Sequence, residues 1–256
     1  MKNRLKHLFE NKNRRVLSIF LTAGFPQLDS TPELIQALEN SGADLIEVGI
    51  PFSDPLADGE TIQASSQKAL ENGMNLKLLL EQIASISSKV DIPLILMGYL
   101  NPIIQYGELE FLEKCHEIGV AGLIIPDLPV EYFRRKWQRT CEKLALPAVF
   151  LITPQTSESR IREIDDLSQG FIYMVSTNSL TGQNKSILEQ GEYFKRIHKM
   201  NLKNPLLVGF GIHNRKTCEF AFEHANGAII GSAYIRSLSK GGDLTQITQQ
   251  FISSLS

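Results

Sequence analysis

Eight short apolar runs, separated by longer amphipathic segments, restrict the folds open to this 256-residue chain more than any other feature. The runs are Val16–Leu21, Leu45–Val48, Pro93–Met97, Gly122–Ile125, Ala148–Leu151, Phe171–Val175, Pro205–Val208 and Ala228–Ile230. They are short and rich in β-branched residues, which predicts strands. The segments between them have helical spacing: Pro32–Asn40, Thr61–Asn72, Leu76–Ser87, Glu108–Ile118, Glu131–Leu144, Glu158–Leu167, Gln190–Met200, Lys216–Glu223 and Leu244–Leu255. Ser30 and Thr31 are expected to cap the first of these, with Pro32 in its first turn, and Gly73 to stop the second.

Strands separated by helices pair in parallel through crossovers. Runs such as Leu94-Ile95-Leu96-Met97 and Leu123-Ile124-Ile125 have no polar alternation, as expected of a sheet buried on both faces. Eight such units predict an α/β protein whose sheet closes into a single (β/α)8 TIM barrel with extra short helices, spanning residues 1–256 as one domain. The alternative is an open doubly wound sheet. Such folds usually have fewer strands and a GxGxxG first turn, whereas the first loop here reads Thr22-Ala23-Gly24-Phe25-Pro26.

Composition narrows the partners. A net charge of -2 gives no reason to expect nucleic acid or an anionic membrane. No window is long and apolar enough for a membrane span, and the Met1–Phe9 stretch lacks the apolar core of a secretory signal. Cys115, Cys141 and Cys218 are odd in number and form neither a CxxC pair nor a zinc spacing. Free thiols in a reducing cytoplasm are the simplest account.

The most informative stretch runs from Leu45 to Gly59: Leu-Ile-Glu-Val-Gly-Ile-Pro-Phe-Ser-Asp-Pro-Leu-Ala-Asp-Gly. An apolar strand enters a Gly/Pro loop flanked by two carboxylates, Glu47 inside the strand and Asp58 at the far end of the loop. A carboxylate in an apolar strand is expensive unless something uses it, and a barrel places its chemistry at the C-terminal ends of its strands. The plainer alternative is a salt-bridged core glutamate beside a solvated aspartate.

A phosphate site is the second expectation. Barrels often hold phosphate on backbone amides after strands 7 and 8. The seventh run ends in Gly209-Phe210-Gly211 and the eighth in Gly231-Ser232-Ala233, where glycine admits an anion close to the backbone and Ser232 adds a hydroxyl. Thr181-Gly182, in the polar stretch Ser176–Ser186, is a third candidate and reads as part of a lid. Phe20, Leu96, Tyr99, Leu123 and Tyr173 stand where a flat apolar ring could be clasped, with core packing as the alternative. His7, His116, His198, His213 and His224 have no metal spacing; His213, just past the Gly209–Gly211 turn, is the one placed to touch an anion.

With these motifs in hand, the chain resembles the tryptophan synthase α-chain family over essentially its whole length. The most specific match is Glu47-Val48-Gly49-Ile50-Pro51-Phe52-Ser53-Asp54-Pro55-Leu56-Ala57-Asp58-Gly59. Supporting matches are Leu21-Thr22-Ala23-Gly24, Tyr99-Leu100-Asn101-Pro102, Pro126-Asp127-Leu128-Pro129-Val130-Glu131, Gly209-Phe210-Gly211-Ile212 and Gly231-Ser232-Ala233. The resemblance implies retro-aldol cleavage of indole-3-glycerol phosphate to indole and glyceraldehyde 3-phosphate, with no metal or organic cofactor. It also implies a β-chain partner, in an α2β2 assembly, that converts indole with serine.

In that reaction the carbon–carbon bond breaks only after C3 of the indole ring is protonated, while N1 gains positive charge and the neighbouring hydroxyl loses its proton. The resemblance makes Glu47 the general acid/base and Asp58 the acceptor of the indole N–H. It brings Phe20, Tyr99, Tyr173 and Phe210 toward the substrate, and Thr181, Gly182, Gly211, Gly231 and Ser232 to its phosphate. It puts Phe52, Asp54, Pro55 and Asn101 at the partner face, where Phe52 and Leu56 are expected to be exposed.

One segment departs from the family. Its members usually read Ser-x-x-Gly-Val-Thr-Gly after strand 6, often with Arg second; this chain reads Ser176-Thr177-Asn178-Ser179-Leu180-Thr181-Gly182. Two other readings compete. Another phosphate-binding barrel enzyme is one, although a decarboxylating synthase would want a lysine acid and no candidate strand contains Lys. A regulatory α-type subunit with weak catalysis is the other.

Overall fold

All eight apolar runs form strands, with ends moved by at most one residue from the expected positions. They are β1 (Val16–Thr22), β2 (Leu45–Gly49), β3 (Leu94–Met97), β4 (Gly122–Ile124), β5 (Ala148–Ile152), β6 (Ile172–Val175), β7 (Leu206–Gly209) and β8 (Gly227–Ile230). The computed structural model describes residues 3–55, 58–176 and 190–255. Each strand pairs in parallel with the next, and β8 returns to β1, so the sheet is a closed barrel rather than an open one. Closure follows from the patterning. Runs buried on both faces need side chains inside and helices outside, and eight strands leave an interior that side chains can fill.

The helices are α1 (Arg4–Asn11), α2 (Ser30–Asn40), α3 (Glu60–Glu71), α4 (Leu76–Ile86), α5 (Leu100–Tyr106), α6 (Glu108–Glu117), α7 (Val130–Tyr132), α8 (Gln138–Leu144), α9 (Glu158–Leu167), α10 (Gly191–Lys199), α11 (Arg215–His224), α12 (Ser232–Leu238) and α13 (Leu244–Ser253). Among the described residues, no helix is long and apolar enough to cross a membrane.

Several local expectations need correction. Helix α2 begins at Ser30, so its N-cap is Asp29, which makes no side-chain cap bond. Ser30 and Thr31 instead accept the N–H groups of Gln27 and Gly24, tying the β1–α2 loop to the helix. The expected helix Glu131–Leu144 is interrupted by a π-helical turn, Phe133–Trp137, in which the Gln138 N–H donates to the Phe133 carbonyl. The wider turn buries both Phe133, edge-on to Phe150, and Trp137, whose Nε1–H donates to Glu108.

Besides α12, which opens at the Gly231 turn, two helices have no counterpart among the expected ranges. In α1, the Asn3 side chain caps the first turn by accepting from Leu5 and Lys6. Leu5 then plugs the N-terminal end of the barrel, where a Cβ on Gly170 would lie 2.5 Å from its Cδ2. Helix α5 contains Pro102, which suggests a turn in sequence. Proline sits in the first helical turn, where a free N–H is not required, and the Asp127 carboxylate accepts the N–H of Leu100.

Candidate active site

A cavity of about 260 Å³ opens at the C-terminal ends of the strands, close to the lower end of the roughly 300–1,000 Å³ of small-ligand sites. The fold brings Phe20, Glu47, Asp58, Tyr173, Phe210, Gly211, Gly231 and Ser232 to its walls, from five strand ends or the loops that follow them. Phe20 and Ser232, 212 positions apart, meet because a parallel barrel puts every strand's C-terminus at one end.

Glu47 lies at the floor. It occupies the third position of β2, opposite Phe20 on β1 and Ile95 on β3, and is fully buried. The salt-bridged alternative fails: among the described residues its carboxyl pairs with no cation. Its one partner is the Ser18 hydroxyl, which donates to Oε1 at 2.8 Å, while Oε2 has none among the described residues. Burial pushes the carboxyl from 4.5 up to about 8, opposed by the Ser18 bond. Glu47 therefore holds a proton near neutral pH and can both give and receive one.

Asp58 approaches from the loop after β2 and accepts the Tyr99 hydroxyl at 3.1 Å. Burial raises its pKa as well, and the Tyr99 bond opposes the rise. Tyr173 is held as a neutral phenol, chiefly by burial and then by the negative charges of Glu47 and Asp58. Two carboxylates with different partners and depths thus face one cavity, the arrangement that separates acid/base roles.

Glycines make room for the rings. A Cβ on Gly49 would lie 2.4 Å from Cζ of Phe20, and one on Gly209 would lie 2.1 Å from the Tyr173 hydroxyl. Phe210 and Gly211 both have left-handed backbone, φ 64 and 76, so the chain turns sharply after β7, where both residues line the cavity.

Some expected positions change. Leu96 and Leu123 are paired in register and buried, but are not among the residues lining the cavity. Side chains alternate along a strand, so Met97 is the β3 residue that faces the cavity. Tyr99 reaches the site through Asp58 rather than as part of the wall. Phe52, expected to be exposed, is half-buried with its ring centroid 5.3 Å from that of Tyr99. Asp54 and Asn101 are exposed, Pro55 is half-buried, and none of the four lines the cavity. Leu56, Thr177, Ser179, Thr181 and Gly182 lie outside the described residues.

The sequence reading missed Ile62 and Arg236 on the cavity wall. Arg236 stands four residues after Ser232 on α12, the helical spacing that shares a face, and that spacing was available in the sequence. His213 also lines the wall, with Nδ1 2.9 Å from the Gly211 carbonyl oxygen. Among the described residues, no cluster of three or more His, Cys, Asp or Glu side chains is arranged to hold a metal ion.

Comparison with known proteins agrees with this geometry. The family model described as tryptophan synthase alpha chain matches residues 7–255. The tryptophan synthase alpha chain of Flavobacterium psychrophilum is 56% identical over 232 residues, covering 90% of this chain and 92% of that one. That of Phocaeicola vulgatus is 48% identical over 255 residues, covering 99% of each. Among solved structures, tryptophan synthase subunit alpha from Legionella pneumophila superposes with a TM-score of 0.89 at 32% identity, covering 100% of this chain and 97% of that one. A chain of the tryptophan synthase complex from Pyrococcus furiosus gives 0.85 at 33% identity, covering 95% and 98%. A match that runs nearly end to end, on a barrel closed in the same way, places this chain in the tryptophan synthase alpha chain family.

Proposed function

We propose that this chain cleaves indole-3-glycerol phosphate to indole and glyceraldehyde 3-phosphate, as the α subunit of a tryptophan synthase, with Glu47 and Asp58 as its catalytic residues. The observation that carries the proposal is the Glu47 carboxyl. It is buried, has no cation partner among the described residues and is proton-bearing near neutral pH, at the floor of a cavity lined by aromatic rings.

The steps follow from positions. The indole ring lies between Phe20 and Tyr173, and Asp58 accepts its N–H. Protonated Glu47 gives its proton to C3, which becomes tetrahedral while the charge on N1 is balanced by Asp58. The resulting Glu47 carboxylate takes the proton of the glycerol hydroxyl beside the C3 substituent. The electron pair of that O–H bond forms the new aldehyde carbonyl, the carbon–carbon bond breaks, and its electrons restore the indole ring. Glu47 ends protonated, so the cycle closes without an outside acid. The phosphate rests on amides of Gly211 and Gly231 and on the Ser232 hydroxyl, with Thr181 and Gly182 closing over it.

The partner belongs to the same proposal. A β chain in an α2β2 assembly receives the indole, docking on Phe52, Asp54, Pro55 and Asn101. The Phe52 ring touches Tyr99, and Tyr99 bonds Asp58, so a contact on this loop has a short route to a catalytic carboxylate. Residues 1–256 act as one barrel domain, whose core extends from Leu5 to Leu255. A cytoplasmic setting suits three buried free thiols.

The test is to mix the purified chain with indole-3-glycerol phosphate and follow indole, with and without a β chain. Slow indole release that the β chain accelerates supports the proposal. Release of an isomerised phosphate without indole would point to another barrel enzyme, and no turnover under either condition to a regulatory subunit.

A further inference from the structure

We propose that Ser18 is a positioning residue for the acid/base step, holding Oε1 of Glu47 from beneath so that the transferable proton resides on Oε2, at the cavity floor. The inference rests on the acid/base reading of Glu47 and deepens it.

Ser18 is the one polar residue in the interior of β1, within the run Val16-Leu17-Ser18-Ile19-Phe20-Leu21. It is fully buried, and a buried hydroxyl needs a partner. It lies two residues before Phe20, so both side chains point into the barrel, Ser18 one layer deeper. Phe20 lines the cavity and Ser18 does not, which leaves Ser18 unable to touch a ligand there. In register, Ser18 is opposite Leu45 and Phe20 is opposite Glu47. The Glu47 side chain therefore leans back toward the preceding layer to meet the Ser18 hydroxyl at 2.8 Å.

That contact makes the two carboxyl oxygens inequivalent. A hydroxyl has one proton to donate, and Ser18 gives it to Oε1. While Glu47 is ionised the bond is charge-assisted and favours the anion. When a proton arrives from the cavity side, Oε1 is already occupied as an acceptor, and the proton settles on Oε2, which has no other partner among the described residues. Ser18 need not turn between the two states.

The other groups facing Glu47 do not substitute for this contact. Phe20 on β1 and Ile95 on β3 are apolar, Tyr173 on β6 is a neutral phenol, and Asp58 is itself bound by Tyr99.

The experiment compares Ser18→Ala, which removes only the hydroxyl, with Ser18→Thr, which keeps it. Glu47 is titrated in the full chain without substrate by pH-difference infrared spectroscopy, its band identified by its loss in Glu47→Gln. The pH profile of kcat is measured separately from indole release. Removing a hydrogen bond to a charged group should raise the Glu47 midpoint by on the order of 1 pH unit in Ser18→Ala. The alkaline limb of kcat should move up with it, KM should stay within about twofold, and kcat should fall roughly tenfold as the proton loses its fixed oxygen. Ser18→Thr should restore the parental midpoint. A Ser18→Ala chain whose Glu47 midpoint stays at the parental value overturns the inference, whatever its turnover. A Glu47→Gln chain that releases indole at the parental rate overturns the acid/base reading instead.

Discussion

Replacing Glu47 by glutamine should stabilise the barrel at pH 8 while removing its chemistry. The carboxyl is raised from 4.5 to about 8, mainly by burial. Between those values the folded chain keeps a proton that the unfolded chain has released. Stability is therefore full below about pH 4.5 and falls as pH rises, by about 1.4 kcal/mol per unit, until the folded carboxyl ionises near 8. The whole loss is on the order of 5 kcal/mol, comparable to the net stability of many domains. Glutamine is neutral throughout, has nearly the same shape, and keeps an oxygen for the Ser18 hydroxyl. The difference in unfolding free energy, variant minus parent, should start near zero at pH 4.5 and climb to several kcal/mol by pH 8. Asp58 and every other titrating group are common to both chains and cancel.

Urea unfolding at fixed ionic strength, repeated across this pH range, measures the difference. A chain of this length can unfold through an intermediate, so the total free energy must be fitted rather than a single midpoint. A difference that stays within about 1 kcal/mol across the window would mean that Glu47 ionises as if in water, refuting the reasoning from burial. In the same samples, indole release should fall by about 10²–10⁴-fold.

Asp58→Asn keeps an acceptor for the Tyr99 hydroxyl but loses the charge opposite indole N1, so indole release should fall at least about 10²-fold while glycerol 3-phosphate still binds; an equal loss of phosphate affinity would place Asp58 in the wrong role. Gly209→Ala drives a Cβ to 2.1 Å from the Tyr173 hydroxyl and should lower stability by about 1–3 kcal/mol in thermal melts, with weaker substrate binding; an unchanged melting temperature would show that Tyr173 gives way freely. Asp54→Ala should reduce, several-fold, the ratio of indole release with a β chain to that without, a coupling of about 1 kcal/mol. An undiminished ratio would remove this loop as the coupling element.

The eight strands were legible because a doubly buried parallel strand must be apolar on both faces, and such runs stand out between amphipathic helices. Glu47 was legible for the converse reason, since an acid in such a run is anomalous. Helix α5 was hidden by Asn101-Pro102, a turn signal until Asp127 caps the helix from another loop. The π turn at Phe133–Trp137 was hidden because local periodicity cannot show that Phe150 and Glu108 will hold both rings inward.

The sequence by itself determined the strand order, the parallel barrel and the two carboxylates, because these follow from periodicity and from the energy of placing charge among apolar neighbours. Only the tertiary structure decided which strand faces met the cavity, putting Met97 at the wall instead of Leu96 and Leu123. It alone set the ionisation of Glu47, through the depth of β2 and the Ser18 hydroxyl of β1, a residue 29 positions away. A pKa is a property of surroundings, and those surroundings exist only once β1 and β2 lie side by side.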